Sequence, residues 1–209
     1  MAASSATSLM AAVAGEFLEA AIPTILYIRG VYPAELFERK RKYNVPVRQS
    51  RHKDLNEYIA GAIKDMMEWM SKGIVERVVL SIEEAASGRQ LERFVFEFEL
   101  DLTADRAAHA RSLAAQARES LEDAFRQVLL KINVADSLLA PLPKELTFGL
   151  YAHTASRLHD NDDWEEMASE GNDRGRAEKG NENMLTVPLK SVQAGCFRLQ
   201  LLVQSPSSG

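Results

Sequence analysis

The chain has 209 residues, 46% hydrophobic and 26% charged, with a formal net charge of -5. That composition supports a packed core and excludes global disorder, and the length fits one sizeable domain or two very small ones. The negative balance argues against DNA binding along the whole chain, and a single cysteine, Cys196, excludes an internal disulfide framework or a cysteine zinc cage and fits a reducing compartment.

The first predicted element is a helix over about 7–29, in which Leu9, Val13, Phe17 and Ala20 recur at helical spacing and Pro23 marks a kink. This opening resembles a signal peptide or a membrane span only briefly. No basic residue precedes the apolar run, and Glu16 and Glu19 interrupt it, so a centrally buried helix is the better reading. Residues 30–52 carry Gly30, Pro33 and Pro46 and read as irregular or short extended pieces. A second helix follows, capped by Asp54, with an apolar stripe of Leu55, Ile59, Ala62, Ile63, Met66 and Met70, and Gly73 ends it.

Two strands come next. "VERVVLSIEE" sets Val78, Leu80 and Ile82 on one face, and "LERFVFEFEL" does the same with Phe94, Phe96, Phe98 and Leu100. The link "AASGRQ" predicts a hairpin. A long helix over about 103–131 buries Leu113, Ala117, Leu121, Phe125, Val128 and Leu129. "ELTFGLYAHT" is a further strand with Leu146, Phe148, Leu150 and Ala152 in phase. Residues 159–183 are almost wholly polar, yet "MLTVPLK" and "CFRLQLLV" return with strand character, so this segment is tethered at both ends. A polar connection of that length inside a compact domain is commonly functional.

Few residues point to chemistry. The acidic run from His159 to Asp163 lacks the ligand spacing of a calcium loop, because Trp164 and Glu165 fall where further ligands belong. The histidines, His52, His109, His153 and His159, include no helical zinc pair, and there is no nucleophile elbow, phosphate-cradling loop or dinucleotide fingerprint. Neither a metal nor another cofactor is expected, nor a catalytic residue. Two features stand out instead. Trp164 stands in an acidic setting, where it either packs back locally or closes over something as large aromatic anchors do at interfaces. If the last two strands pair, Thr186, Gln200 and Leu202 form one outward patch, opposite Phe197, Leu199, Leu201 and Val203. The basic cluster Arg39 to Lys42 reads first as solvated charge, with nuclear import or DNA contact as competing roles.

The motifs "ILYIRGVYP", "LFERKRKYNVPV", "LNEYI", "VERVVLSI", "RFVFEF", "LLKINV", "HT" and "VPLK" together resemble the HORMA-domain accessory subunits of translesion DNA polymerase zeta, over about residues 13–203. The resemblance implies an α+β fold, a three-helix core packed on a mainly antiparallel sheet. It implies one domain over 7–203, with flexible termini at 1–6 and 204–209. A C-terminal safety belt over about 156–203 would trap a peptide of a partner. Further implications are a non-catalytic adaptor and peptide contacts through Tyr58 and Trp164. A surface at Thr186, Gln200 and Leu202 would face the deoxycytidyl-transferase scaffold polymerase, and Arg126 would serve a HORMA–HORMA dimer. The expected partners are thus a peptide of the polymerase zeta catalytic subunit and the scaffold polymerase, with DNA contact indirect or weak, no membrane, and a place in the nucleus and secondarily the cytoplasm. The alternative within the family is an adaptor in checkpoint or meiotic chromosome signalling.

Overall fold

The computed structural model describes residues 2–100, 114–154, 184–195 and 197–206. The chain begins with helix α1, Ala2–Ile28, which runs through Pro23 unbroken. A 3-10 turn at Ala34–Leu36 leads into a hairpin of β1, Phe37–Lys42, and β2, Val45–Ser50. Helix α2 is Lys53–Ser71. Strands β3, Val75–Glu84, and β4, Gln90–Leu100, form the expected hairpin. Helix α3 is Ala114–Asn133, and β5 is Leu146–Thr154. The C-terminal hairpin is β6, Met184–Ala194, with β7, Phe197–Pro206.

Strands β3 to β7 build one antiparallel sheet in the order β5-β3-β4-β7-β6. The three helices pack on one face of it. Period-two alternation sends Val78, Leu80, Ile82, Phe94, Phe96, Leu150, Leu199, Leu201 and Val203 into the core they share with the helices. Phe17 of α1 stacks on Phe125 of α3 at 4.7 Å and meets Phe96 of β4 edge-on at 6.0 Å. Phe125 then meets Phe197 of β7 at 5.6 Å. These rings tie the C-terminal hairpin to the first helix. They are edge-to-face and offset contacts, the favourable geometries for aromatic pairs.

The apolar stripe of α2 is as expected, with Trp69 added to the buried side. On α3, Leu121, Phe125, Val128 and Leu129 are buried as the spacing predicts. The expected start of that helix at 103, with Leu113, lies outside the described residues. By length and composition Ala11–Ile28 is apolar enough to cross a membrane, but 67% of it is buried inside the protein, so it serves as the core helix. Gly15 lets α1 and α2 approach closely. A Cβ there would lie 1.9 Å from Sδ of Met67.

Two expectations need correction. The cap of α2 is His52, whose Nδ1 accepts from the Leu55 amide at 3.4 Å; Asp54 sits inside the first turn. Residues 30–52 contain a regular hairpin. Its two-residue turn, Tyr43 and Asn44, has φ of 47° and 59°, the left-handed pair of a type I′ turn. An aromatic residue seldom adopts that conformation, and here the Tyr43 ring packs 5.5 Å from Phe125. Helix α1 starts at Ala2 and β7 reaches Pro206. The end of β7 is held because Gln204, Ser205 and Pro206 pair with Thr186, Leu185 and Met184.

Candidate functional site

The two edges of the sheet define the candidate site. β5 forms one edge. It pairs with β3 on one side, and no described strand pairs with its other side. β6 forms the opposite edge, four strand spacings away, roughly 19 Å at about 4.8 Å per spacing. Residues 155–183, which include Trp164 and His159, join these edges and lie outside the described residues.

The β5 edge is built on aromatic rings. Tyr58 projects from α2 and is 50% exposed. Its ring meets Phe148 of β5 edge-on at 5.7 Å, and Tyr32 meets Phe148 from another direction at 6.1 Å. Phe148 is in turn packed against the core. Tyr58 is therefore an exposed ring on a fixed base. Burial holds the Tyr32 phenol above its usual range, and the Tyr58 phenol adds to that. On the other face of β5, Tyr151 donates to Glu83 Oε1 at 3.2 Å. Burial again comes first in raising its phenol, followed by the Glu83 charge. Gly149 makes room for this ring, since a Cβ there would lie 2.7 Å from Oη of Tyr151.

A partly buried ion network fixes the approach to β5. Arg29, just past α1, donates from Nε and Nη2 to both oxygens of Glu92 at 2.9 and 2.7 Å. Nη1 reaches Asp136 Oδ1 at 2.5 Å, and Nη2 also reaches the Ala140 carbonyl at 2.6 Å. Asp136 belongs to the 3-10 turn Ala135–Leu138 that follows α3. One guanidinium thus joins α1, β4 and the loop leading into β5. Burial pushes the Glu92 carboxyl up while Arg29 pulls it down.

At the other edge, the strand pairing sets Gln204 opposite Thr186, Gln200 opposite Ser191 and Leu202 opposite Pro188. Gln200 and Leu202 are half-buried and Thr186 is exposed, all on the face away from the helices. The patch expected from strand parity is thus contiguous. It ends an apolar row that parity alone did not reveal: Tyr151, Val79, Val95, Leu202 and Pro188 stand successively opposite one another across the sheet. Arg126 is exposed on α3, away from both edges' outward faces. His153 is exposed at the end of β5, with Arg93 Nη2 3.4 Å from its Nε2. Among the described residues, no group of three or more His, Cys, Asp or Glu is placed to hold a metal ion.

The resemblance pointed to Tyr58; the ring packed against it, Phe148, the Tyr32 ring on Phe148, and the Arg29 network did not emerge from the sequence. A signal existed for the network. An arginine inside the apolar run "ILYIRG" must find a buried anion or leave the core.

The HORMA domain family profile matches residues 11–196. The Arabidopsis thaliana protein named DNA polymerase zeta processivity subunit is 33% identical over 193 residues, 92% of this chain and 84% of its own length. Human mitotic spindle assembly checkpoint protein MAD2B is 38% identical over 143 residues, 66% of this chain. The match spans 63% of the human protein, under two thirds of its length. Among solved structures, Caenorhabditis elegans HTP-2 bound to the HIM-3 closure motif superposes with a TM-score of 0.69 at 16% identity, covering 93% of this chain and 89% of that one. At that identity the likeness concerns the fold.

Proposed function

Because the chain belongs to the HORMA domain family, we propose that it is a non-catalytic adaptor subunit of DNA polymerase zeta in translesion DNA synthesis, trapping a peptide of the catalytic subunit and bridging to the deoxycytidyl-transferase scaffold polymerase. The observation that carries this reading is the β5 edge. It offers nine residues of strand with no proline and one histidine as its only ionisable group besides Tyr151, next to the exposed Tyr58 ring. An edge of this kind invites an added strand unless it is guarded. An extended peptide gains main-chain hydrogen bonds there, and its side chains gain an aromatic anchor. The segment 155–183 starts at this edge and returns at the far one, and its Trp164 is the second proposed anchor. HTP-2, with the same fold, is solved with a closure motif bound. The Arabidopsis relative carries the name of a polymerase zeta subunit.

Thr186, Gln200 and Leu202 are assigned to the scaffold polymerase, and Arg126 to contact between two HORMA domains. The adaptor acts in the nucleus. The name of the human relative favours a second reading, checkpoint signalling through the same peptide-trapping edge. Titration of the full chain with a labelled peptide from the polymerase zeta catalytic subunit tests the assignment. Binding that is lost in Tyr58→Ala and retained in Leu202→Ala supports it. A folded chain that ignores this peptide but captures a checkpoint partner from nuclear extract moves the second reading forward.

A further inference from the structure

The β1–β2 hairpin carries two faces of different character. Its register sets Lys40 opposite Val47 and Lys42 opposite Val45, and both valines are buried. On this face each lysine has a carboxylate: Lys40 pairs with Glu38 at 2.8 Å, and Lys42 with Glu16 at 2.8 Å. The other face begins with the buried pair Phe37 and Ser50 and continues with Arg39, Arg41, Pro46 and Arg48, with no carboxylate among its own residues. Arg39 stands directly opposite Arg48. Like charges at directly opposed positions destabilise a strand pair. Arg48 is partly accommodated, because its guanidinium lies 4.1 Å from the centre of the Tyr27 ring. Arg39 and Arg41 are exposed, and neither has an ion pair among the described residues.

We propose that this arginine face binds the phosphate backbone of nucleic acid, without reading sequence. Three arginines share one face of a hairpin in a chain whose net charge is -5, Arg39 and Arg41 exposed and Arg48 half-buried. Their forked donors match phosphate oxygens. The face also lacks what a protein partner would need. Among the described residues, the exposed large apolar ones are Tyr58, Leu130, Val134, Leu138 and Leu185, none of them on the hairpin. Protein interfaces are anchored by apolar and aromatic side chains, whereas charge without such an anchor fits a polyelectrolyte. The site is independent of the peptide edge and does not rest on the polymerase assignment.

Fluorescence anisotropy of the full chain with a labelled DNA duplex of random sequence tests this, between 50 and 150 mM salt. Three phosphate contacts predict a log–log salt slope near -2.7 and about a 20-fold loss of affinity across that range. The double variant Arg39→Glu, Arg41→Glu should lose at least about tenfold in affinity and bring the slope to about -0.9 or shallower. A control of equal charge change elsewhere, Lys64→Glu with Lys144→Glu, should keep the wild-type slope. Arg39→Gln should weaken binding while leaving the melting temperature unchanged or raised, since it removes a repulsion. A purely structural arginine would lower it. The proposal is overturned by no binding at 50 mM salt, by equal loss in the control, or by polyglutamate competing as well as unlabelled duplex of the same charge.

Discussion

The two edges of the sheet are built on opposite plans. β6 carries Pro188, which cannot donate a ladder hydrogen bond, and an irregular register between Pro188 and Lys190. Both are devices that discourage a further strand from adding. β5 has neither. Its pairing with β3 is regular from Arg77 to Glu84, its sequence is "LTFGLYAHT", and the exposed Tyr58 ring stands beside it. One edge is finished and the other is prepared. A sheet that leaves only one edge unguarded has a preferred side for a partner strand, and the aromatic support lies on that side.

The largest test of this contrast is Arg29→Ala. It leaves Glu92 as an uncompensated buried charge, which costs about 3–5 kcal/mol. Chemical denaturation should show that loss. Amide exchange should quicken around Asp136 and the approach to β5 more than in β7, which the network does not touch. Equal quickening at both edges would break the contrast. Tyr58→Ala comes next. The loss of an anchoring ring is worth about 2 kcal/mol of binding, roughly thirtyfold in peptide affinity, with little change in stability because the ring is half exposed. Leu202→Ala should act at the other side only. It should cost about 1 kcal/mol, near fivefold, in affinity for the scaffold polymerase, and leave peptide capture intact. Loss of both partners in both variants, with folding intact, would remove the two-surface account. The smallest effect is Gly149→Ala. The new Cβ displaces the Tyr151 ring and its hydrogen bond to Glu83, about 1 kcal/mol, read as a lowered melting temperature with β7 unaffected.

Much of the fold was legible because burial imposes periodicity. The stripe of α2, the buried side of α3 and the alternation in β3, β4, β5 and β7 all follow from one face meeting the core. The outward position of Gln200 and Leu202 follows from the same alternation. The hairpin at 37–50 was missed because its turn is made by Tyr43 and Asn44 without a glycine. The Tyr43 conformation is supported by a tertiary contact with Phe125 that sequence does not display. The cap at His52 was missed for a related reason: Asp54 is the better intrinsic capper, and the chain path decided otherwise. At the site, Tyr58 came from a resemblance, while Phe148 and Tyr32 required geometry. Tyr58 is on α2, Phe148 on β5 and Tyr32 in the loop after α1, and only folding brings them together.

The central claim is that β5 is the edge a partner strand joins. Amide hydrogen exchange, measured on the full chain with and without a peptide from the polymerase zeta catalytic subunit, tests it most directly. The account predicts new protection along 146–154, lost in Tyr58→Ala, with β6 and β7 already protected before the peptide is added. Protection that appears along β6 instead, with β5 unchanged, would contradict it.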